Sequence, residues 1–121
     1  PLSEKIKYIN TIAKPEDSCF EIHFNAGGGD GIEVIYHHAS EKGKKMAKHF
    51  QDMLLEYLPL RSRGIKSNHK LNRKLGFLSF IEIPSIIIEI LFIDNDKEAS
   101  YLLYPRAHLV IANALEEAMV R

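Results

Sequence analysis

The segment Ser85-Ile-Ile-Ile-Glu-Ile-Leu-Phe-Ile93 constrains this chain more than any other stretch. It follows Pro84 and is almost continuously apolar. Such a run reads as a strand buried on both faces, as in the centre of a parallel sheet. One carboxylate, Glu89, interrupts it. A charge in a strand covered on both sides is costly unless it is paired, metal-bound or exposed in a cleft.

The segments around it alternate in type. Ser3 to about Lys14 has helical spacing (Leu2, Ile6, Ile9, Ile12), with Ser3 as a cap and Pro15 as a stop. Cys19 to Asn25 reads as a strand with Phe20, Ile22 and Phe24 on one face and Glu21, His23 and Asn25 on the other. A turn at Ala26–Gly31 leads to a second strand, Ile32 to Tyr36. Glu41 to Leu58 is an amphipathic helix capped by Ser40. Met46, Ala47, Phe50, Met53, Leu54, Tyr57 and Leu58 form its inner face. Lys44, Lys45, Lys48, Gln51, Asp52 and Glu56 lie opposite. Leu60 to Ile83 reads as a basic loop followed by a short helix or strand. After the apolar strand, Asn95 caps a short helix with Glu98 at the capping-box position. A last helix spans about Ala107 to Val120, with Leu109, Ala112, Leu115, Ala118 and Met119 expected inward. This order predicts one α/β domain over residues 1–121, a mostly parallel central sheet with helices on both faces.

Composition excludes some functions. Sixteen basic residues balance sixteen acidic ones, for a formal net charge of zero. That argues against a nucleic-acid module, which needs clustered excess Lys and Arg. The run Arg61, Arg63, Lys66, Lys70, Arg73, Lys74 is a local exception and reads as a solvated loop or a contact for an anionic polymer. No apolar stretch approaches the roughly 18 residues of a membrane helix, and no signal peptide is visible. The single cysteine, Cys19, excludes an internal disulfide and reads as a buried thiol.

His23 and Glu89 are the candidates for chemistry. Both fall in the C-terminal halves of their strands, where open α/β sheets place their clefts. A buried Glu there suits general acid/base work. The bland alternatives are a hydrogen-bonded core histidine for His23 and an ion pair with Arg63 or Arg73 for Glu89. The other histidines carry less. His37 and His38 are adjacent and on a strand would face opposite ways. His49 falls on the polar side of its helix, His69 in the basic stretch, and His108 at the start of the last helix. None has the spacing of a self-contained zinc site. The Gly27–Gly29 run lacks the Lys-Ser/Thr of a phosphate loop and reads as a plain turn.

Several segments in order resemble the family-3 N-acetylmuramoyl-L-alanine amidases. Phe20-Glu-Ile-His-Phe-Asn-Ala26 is similar to their strand ending in His-x-Asn-Ala. Gly31-Ile-Glu-Val34 resembles the Gly-x-Glu-Val strand that follows, and Arg63-Gly-Ile-Lys66 the Arg-Gly-x-Lys turn. Pro84 to Phe92 resembles Pro-x-x-Leu-Val-Glu-x-x-Phe, and Asn95 to Glu98 the Asn-x-x-Glu helix start. The resemblance implies zinc-dependent hydrolysis of the amide between N-acetylmuramic acid and L-alanine in peptidoglycan. His23 would be a zinc ligand, Glu89 the catalytic carboxylate, and Asn25 a substrate-binding residue. Zinc lowers the pKa of its water to about 7, and a nearby Glu relays the proton to the leaving amine. Such an enzyme acts on the cell wall, secreted or periplasmic, or phage-encoded and released at lysis.

The family's other zinc ligands, a His and a Glu, lie upstream of the helix that begins this chain. On this reading the 121 residues are the C-terminal two-thirds of the catalytic domain, with an exposed sheet edge or core face where an earlier strand belongs. The Gly expected two residues after the catalytic Glu is replaced; Ile90 and Leu91 follow Glu89. A non-catalytic descendant that binds peptidoglycan or a protein partner is the alternative. An unrelated α/β domain in which Glu89 makes a structural salt bridge is a weaker one.

Overall fold

A computed structural model describes all residues, Pro1–Arg121. The elements are α1 (Leu2–Ile12), β1 (Cys19–Asn25), β2 (Ile32–Tyr36), α2 (Glu41–Tyr57), β3 (Ser62–Ser67), α3 (Gly76–Phe80), β4 (Ser85–Phe92), α4 (Asp96–Tyr101) and α5 (Ala107–Val120). Four strands form one sheet in the order β1-β4-β2-β3. β1 runs parallel to β4, β2 runs parallel to β3, and β2 meets β4 antiparallel. The sheet is therefore mostly parallel, and β4 sits inside it with every residue buried. One of its two neighbours is antiparallel, a mixed pairing that the apolar run could not announce.

The pleat of β4 divides the core. Ile86, Ile88 and Ile90 join Ile32 and Val34 of β2 against Phe50, Leu54 and Ala47 of α2 and Ala114, Leu115 and Ala118 of α5. Ile87 and Ile35 point the other way, onto Ile6 of α1 and Phe77 and Leu78 of α3. Alternating side chains serve two helical layers, so the strand must be apolar throughout.

Most capping signals hold. Ser40 Oγ accepts from Gly43 N at 2.9 Å, and Asn95 Oδ1 from Glu98 N at 3.1 Å. α1 differs: it starts at Leu2 with Pro1 at the cap position, and Ser3 makes no capping bond. β3 corrects the expectation of a loop. Its Gly64 has φ +76°, a left-handed kink beside a register shift against β2. The polar Ser-Arg-Gly-Ile-Lys-Ser sequence hides a sheet-edge strand, because only Ile65 packs onto the main core. α5 is rotated from the expected face. Leu115 and Ala118 are buried as expected, but Leu109, Ala112 and Met119 are exposed and Ala107 and Ala114 take their place inside. Its principal partner is α2, and that single neighbour sets the buried stripe. Gln51, expected outside, is buried and donates to Ile32 O at 3.1 Å and Ser62 Oγ at 3.0 Å, tying α2 to the sheet.

β1 is a sheet edge. Ile22 and Phe24 on its α2-side face are 44% and 48% exposed, which fits the expected open edge. No helix is long and apolar enough to cross a membrane.

Candidate functional site

The register aligns three polar residues across the sheet. His23 of β1 pairs with Glu89 of β4, and Glu89 pairs with Glu33 of β2. Residues opposite one another on neighbouring strands share a face. All three therefore lie on the side of Ile87 and Ile35, the face covered by α1 and α3. Of the three, only His23 on the edge strand is open; Glu89 and Glu33 are buried. The His23 side chain is 45% exposed; that of Glu89 is 6% exposed.

Each member has a partner. His23 Nε2 lies 2.6 Å from Glu21 Oε1, two residues away on the same face. Glu21 also takes a hydrogen bond from Lys5 of α1. Partial burial pulls the Glu21 pKa up, but the bonds and charges of Lys5 and His23 outweigh it and hold the carboxyl below its ordinary value. Glu89 Oε1 accepts from Arg73 Nη1 at 3.3 Å. Of the two arginines expected as its partner, the structure brings Arg73 and leaves Arg63 to Glu33.

Glu33 was not singled out from the sequence. Its signal is the one that flagged Glu89: a lone carboxylate in an apolar strand, Ile32-Glu-Val-Ile35. It is 4% exposed, with Lys66 Nζ at 3.4 Å and Arg63 Nη1 at 3.9 Å, both from β3. Much of the basic stretch is thus not a solvated loop: Arg63, Lys66 and Arg73 answer two buried carboxylates.

The rim is built by the Gly27–Gly31 turn and the start of α4. Asp94 accepts from Gly27 N at 2.8 Å and Gly28 N at 2.9 Å, and these bonds lower its pKa. Glu98 is buried and accepts from Gly31 N at 2.6 Å and Phe92 N at 2.8 Å. Its side chain therefore braces the turn against β4 instead of closing the expected capping box. Gly29 faces Phe92 so closely that a Cβ would lie 2.6 Å from the ring. Asn25 stands at the rim, with Oδ1 accepting from Ala26 N at 2.9 Å. The turn is held from three sides, more than a plain connection requires.

The remaining histidines stand elsewhere. His37 and His38 follow β2 in a turn, so their rings stack at 4.4 Å instead of facing apart, and His69 lies 4.8 Å from His38. His49 is not solvated: Nε2 bonds Ala118 O at 2.9 Å and joins α2 to α5. Cys19 is half-buried, and burial followed by the Glu21 charge pushes its thiol pKa up, away from nucleophile chemistry.

A family model described as N-acetylmuramoyl-L-alanine amidase matches residues 1–121, the whole chain. The chain belongs to this amidase family. An N-acetylmuramoyl-L-alanine amidase structure from Clostridium difficile 630 superposes with a TM-score of 0.87 at 22% identity, covering 99% of this chain and 63% of that one. Cwp6 from Clostridium difficile gives 0.86 at 26% identity, over 98% of this chain and 19% of that one. The catalytic domain of an endolysin targeting Clostridia difficile gives 0.77 at 25% identity, over 97% and 61%. The chain thus spans less than two-thirds of each of these structures. No individually curated protein matches it.

Zinc can be tested against the amidase-family residues present. A catalytic zinc takes three protein ligands. No three of the chain's His, Cys, Asp and Glu side chains gather into a metal-holding group. By themselves the 121 residues do not fit a catalytic zinc.

Proposed function

We propose that this chain is part of a peptidoglycan hydrolase that cleaves the amide between N-acetylmuramic acid and L-alanine, acting on the bacterial cell wall. The observation that carries the proposal is the alignment of His23 with Glu89 on adjacent strands, one half-exposed and one buried. Family membership supplies the reaction class.

In this reading Glu89 is the catalytic carboxylate. It takes a proton from the attacking water and passes it to the leaving amine of L-alanine. Arg73 donates to it at 3.3 Å and orients the carboxylate before substrate arrives. His23 is one ligand of the zinc expected in this family, and Asn25 at the rim is a substrate contact. The other ligands, one His and one Glu, come from outside these 121 residues.

A second reading is favoured by one observation, the lack of a three-ligand group within the chain. In it, the 121 residues bind peptidoglycan without cutting it. One experiment separates the two. The protein as expressed in its host is incubated with zinc and purified peptidoglycan, and newly freed L-alanine amino groups are counted, with Glu89→Gln as control. Release that falls at least about 100-fold in the variant supports the hydrolase. Co-sedimentation with peptidoglycan without release, in the presence of zinc, supports the binding domain and removes the catalytic role of Glu89.

A further inference from the structure

Arg63 is built into the wall of the site and has an unmet need. Its Nη1 is buried and has no hydrogen-bond partner. Glu33 Oε1 is 3.9 Å away, beyond hydrogen-bond reach. The guanidinium is held in place from below, 4.8 Å over the Phe92 ring, which is itself packed against Gly29. Lys66 stands beside it, 3.4 Å from Glu33 and bonded to Arg63 O. Two cations thus face one carboxylate, and the local balance is positive. Buried polar groups in folded proteins are nearly always hydrogen-bonded, so the unpartnered Nη1 of Arg63 calls for an explanation. Arg63 is partly accessible, with 28% of its side chain exposed.

The position fits a ligand of defined chemistry. β3 lies two strands from β4, and Arg63 reaches back over β2 toward Glu33. At roughly 4.8 Å per strand, its guanidinium stands about 5–10 Å from the strand carrying Glu89. An extended peptide advances about 3.3 Å per residue. A carboxylate two or three residues beyond an amide held at Glu89 would therefore arrive at Arg63. A planar guanidinium with free N–H groups is suited to receive it bidentately.

We propose that Arg63, supported by Lys66, binds a carboxylate on the peptide side of the substrate, an assignment that rests on the amidase reading. It makes Arg63 a specificity residue for peptides with a free acid over those capped as amides.

The test is binding of two soluble probes by calorimetry. One is an N-acetylmuramoyl tripeptide with a free C-terminal carboxylate, and the other is the same molecule with a C-terminal carboxamide. The acid is expected to bind at least about 10-fold more tightly. Arg63→Gln should remove that preference and leave amide binding unchanged. Arg63→Lys keeps a charge beside Glu33, so it guards against loss of fold, and should retain only part of the preference. Equal affinity for acid and amide, unchanged in both variants, overturns the Arg63 assignment while leaving the muropeptide site in place. Absence of binding by either probe to the unaltered protein overturns the assignment and the amidase reading together.

Discussion

Replacing Glu89 by Gln separates a site carboxylate from a structural ion pair, and the structure sets the expected size. Arg73 Nη1 lies 3.3 Å from Glu89 Oε1. At an effective permittivity of about 20 that attraction is roughly 5 kcal/mol. Glu33 stands opposite in the register, and at about 5 Å for such a pair the carboxylate repulsion is roughly 3 kcal/mol. About 2 kcal/mol of attraction is left. The Arg73 side chain is 48% exposed, so water screens much of this. Burying the carboxylate also costs several kcal/mol, a cost that Gln relieves without changing shape. The expected change for Glu89→Gln is therefore within about 1 kcal/mol of zero, or roughly 3–5 °C in Tm for a chain of this length. Arg73→Ala should be worse, by about 1–3 kcal/mol, because it leaves Glu89 unpaired beside Glu33. Thermal melts followed by circular dichroism at pH 7 compare the three proteins. A loss above about 3 kcal/mol for Glu89→Gln, with Arg73→Ala neutral, would refute this accounting and make Glu89 a structural residue.

Four other expectations follow from the same structure. Glu98→Ala removes the acceptor of the Gly31 and Phe92 N–H groups and should cost about 2–5 kcal/mol in chemical denaturation. Gly31→Ala places a Cβ 2.5 Å from Arg61 O at φ +100°, so it should cost about 2–4 kcal/mol. Gly28→Ala, at φ +82° with nothing within 4 Å, should cost only about 1 kcal/mol in the same denaturation series. Acid should lower stability in two windows. His37 has its pKa lowered by burial and by His38, so the unfolded chain binds its proton more readily. Its contribution is present above the ordinary value of 6.5 and is lost as pH falls from there through its folded pKa. Glu21, with its folded pKa below 4.5, contributes above that value and is lost as pH falls through the folded one. Tm measured from pH 7.5 to 3 should fall in both windows. His37→Asn should flatten the first, and Glu21→Gln should lessen the second, to which Asp30 and Asp94 with their lowered pKa values also contribute; unchanged slopes would refute the assignment.

Much of the fold was legible because the same residues satisfy local and global demands. Ser40 and Asn95 cap their helices because their short side chains reach N–H groups left open by any helix start. The apolar run 85–92 reads as a covered strand because it is short, follows Pro84 and is rich in β-branched isoleucine, and the structure buries all of it. Glu89 and His23 stood out because their polarity contradicts that rule. The spacing on the chain could not tell which arginine meets Glu89. Arg63 and Arg73 are both basic and both near in sequence, and only strand pairing sends one to Glu33 and the other to Glu89. Glu33 carried the same signal as Glu89 but gained meaning only when the antiparallel pairing of β2 with β4 set the two side by side.

By itself, then, the sequence determined the kind of each major element, the apolar centre and the odd polar residues within it. These follow from periodicity, capping and the cost of burying charge, which act over a few residues. Tertiary structure alone decided that β3 is a strand, that α5 turns Ala107 and Ala114 inward instead of Leu109, Ala112 and Met119, and that Glu98 braces the Gly27–Gly31 turn. Those outcomes depend on which element lies alongside which, and partners distant in the chain set them through contacts that no local pattern encodes.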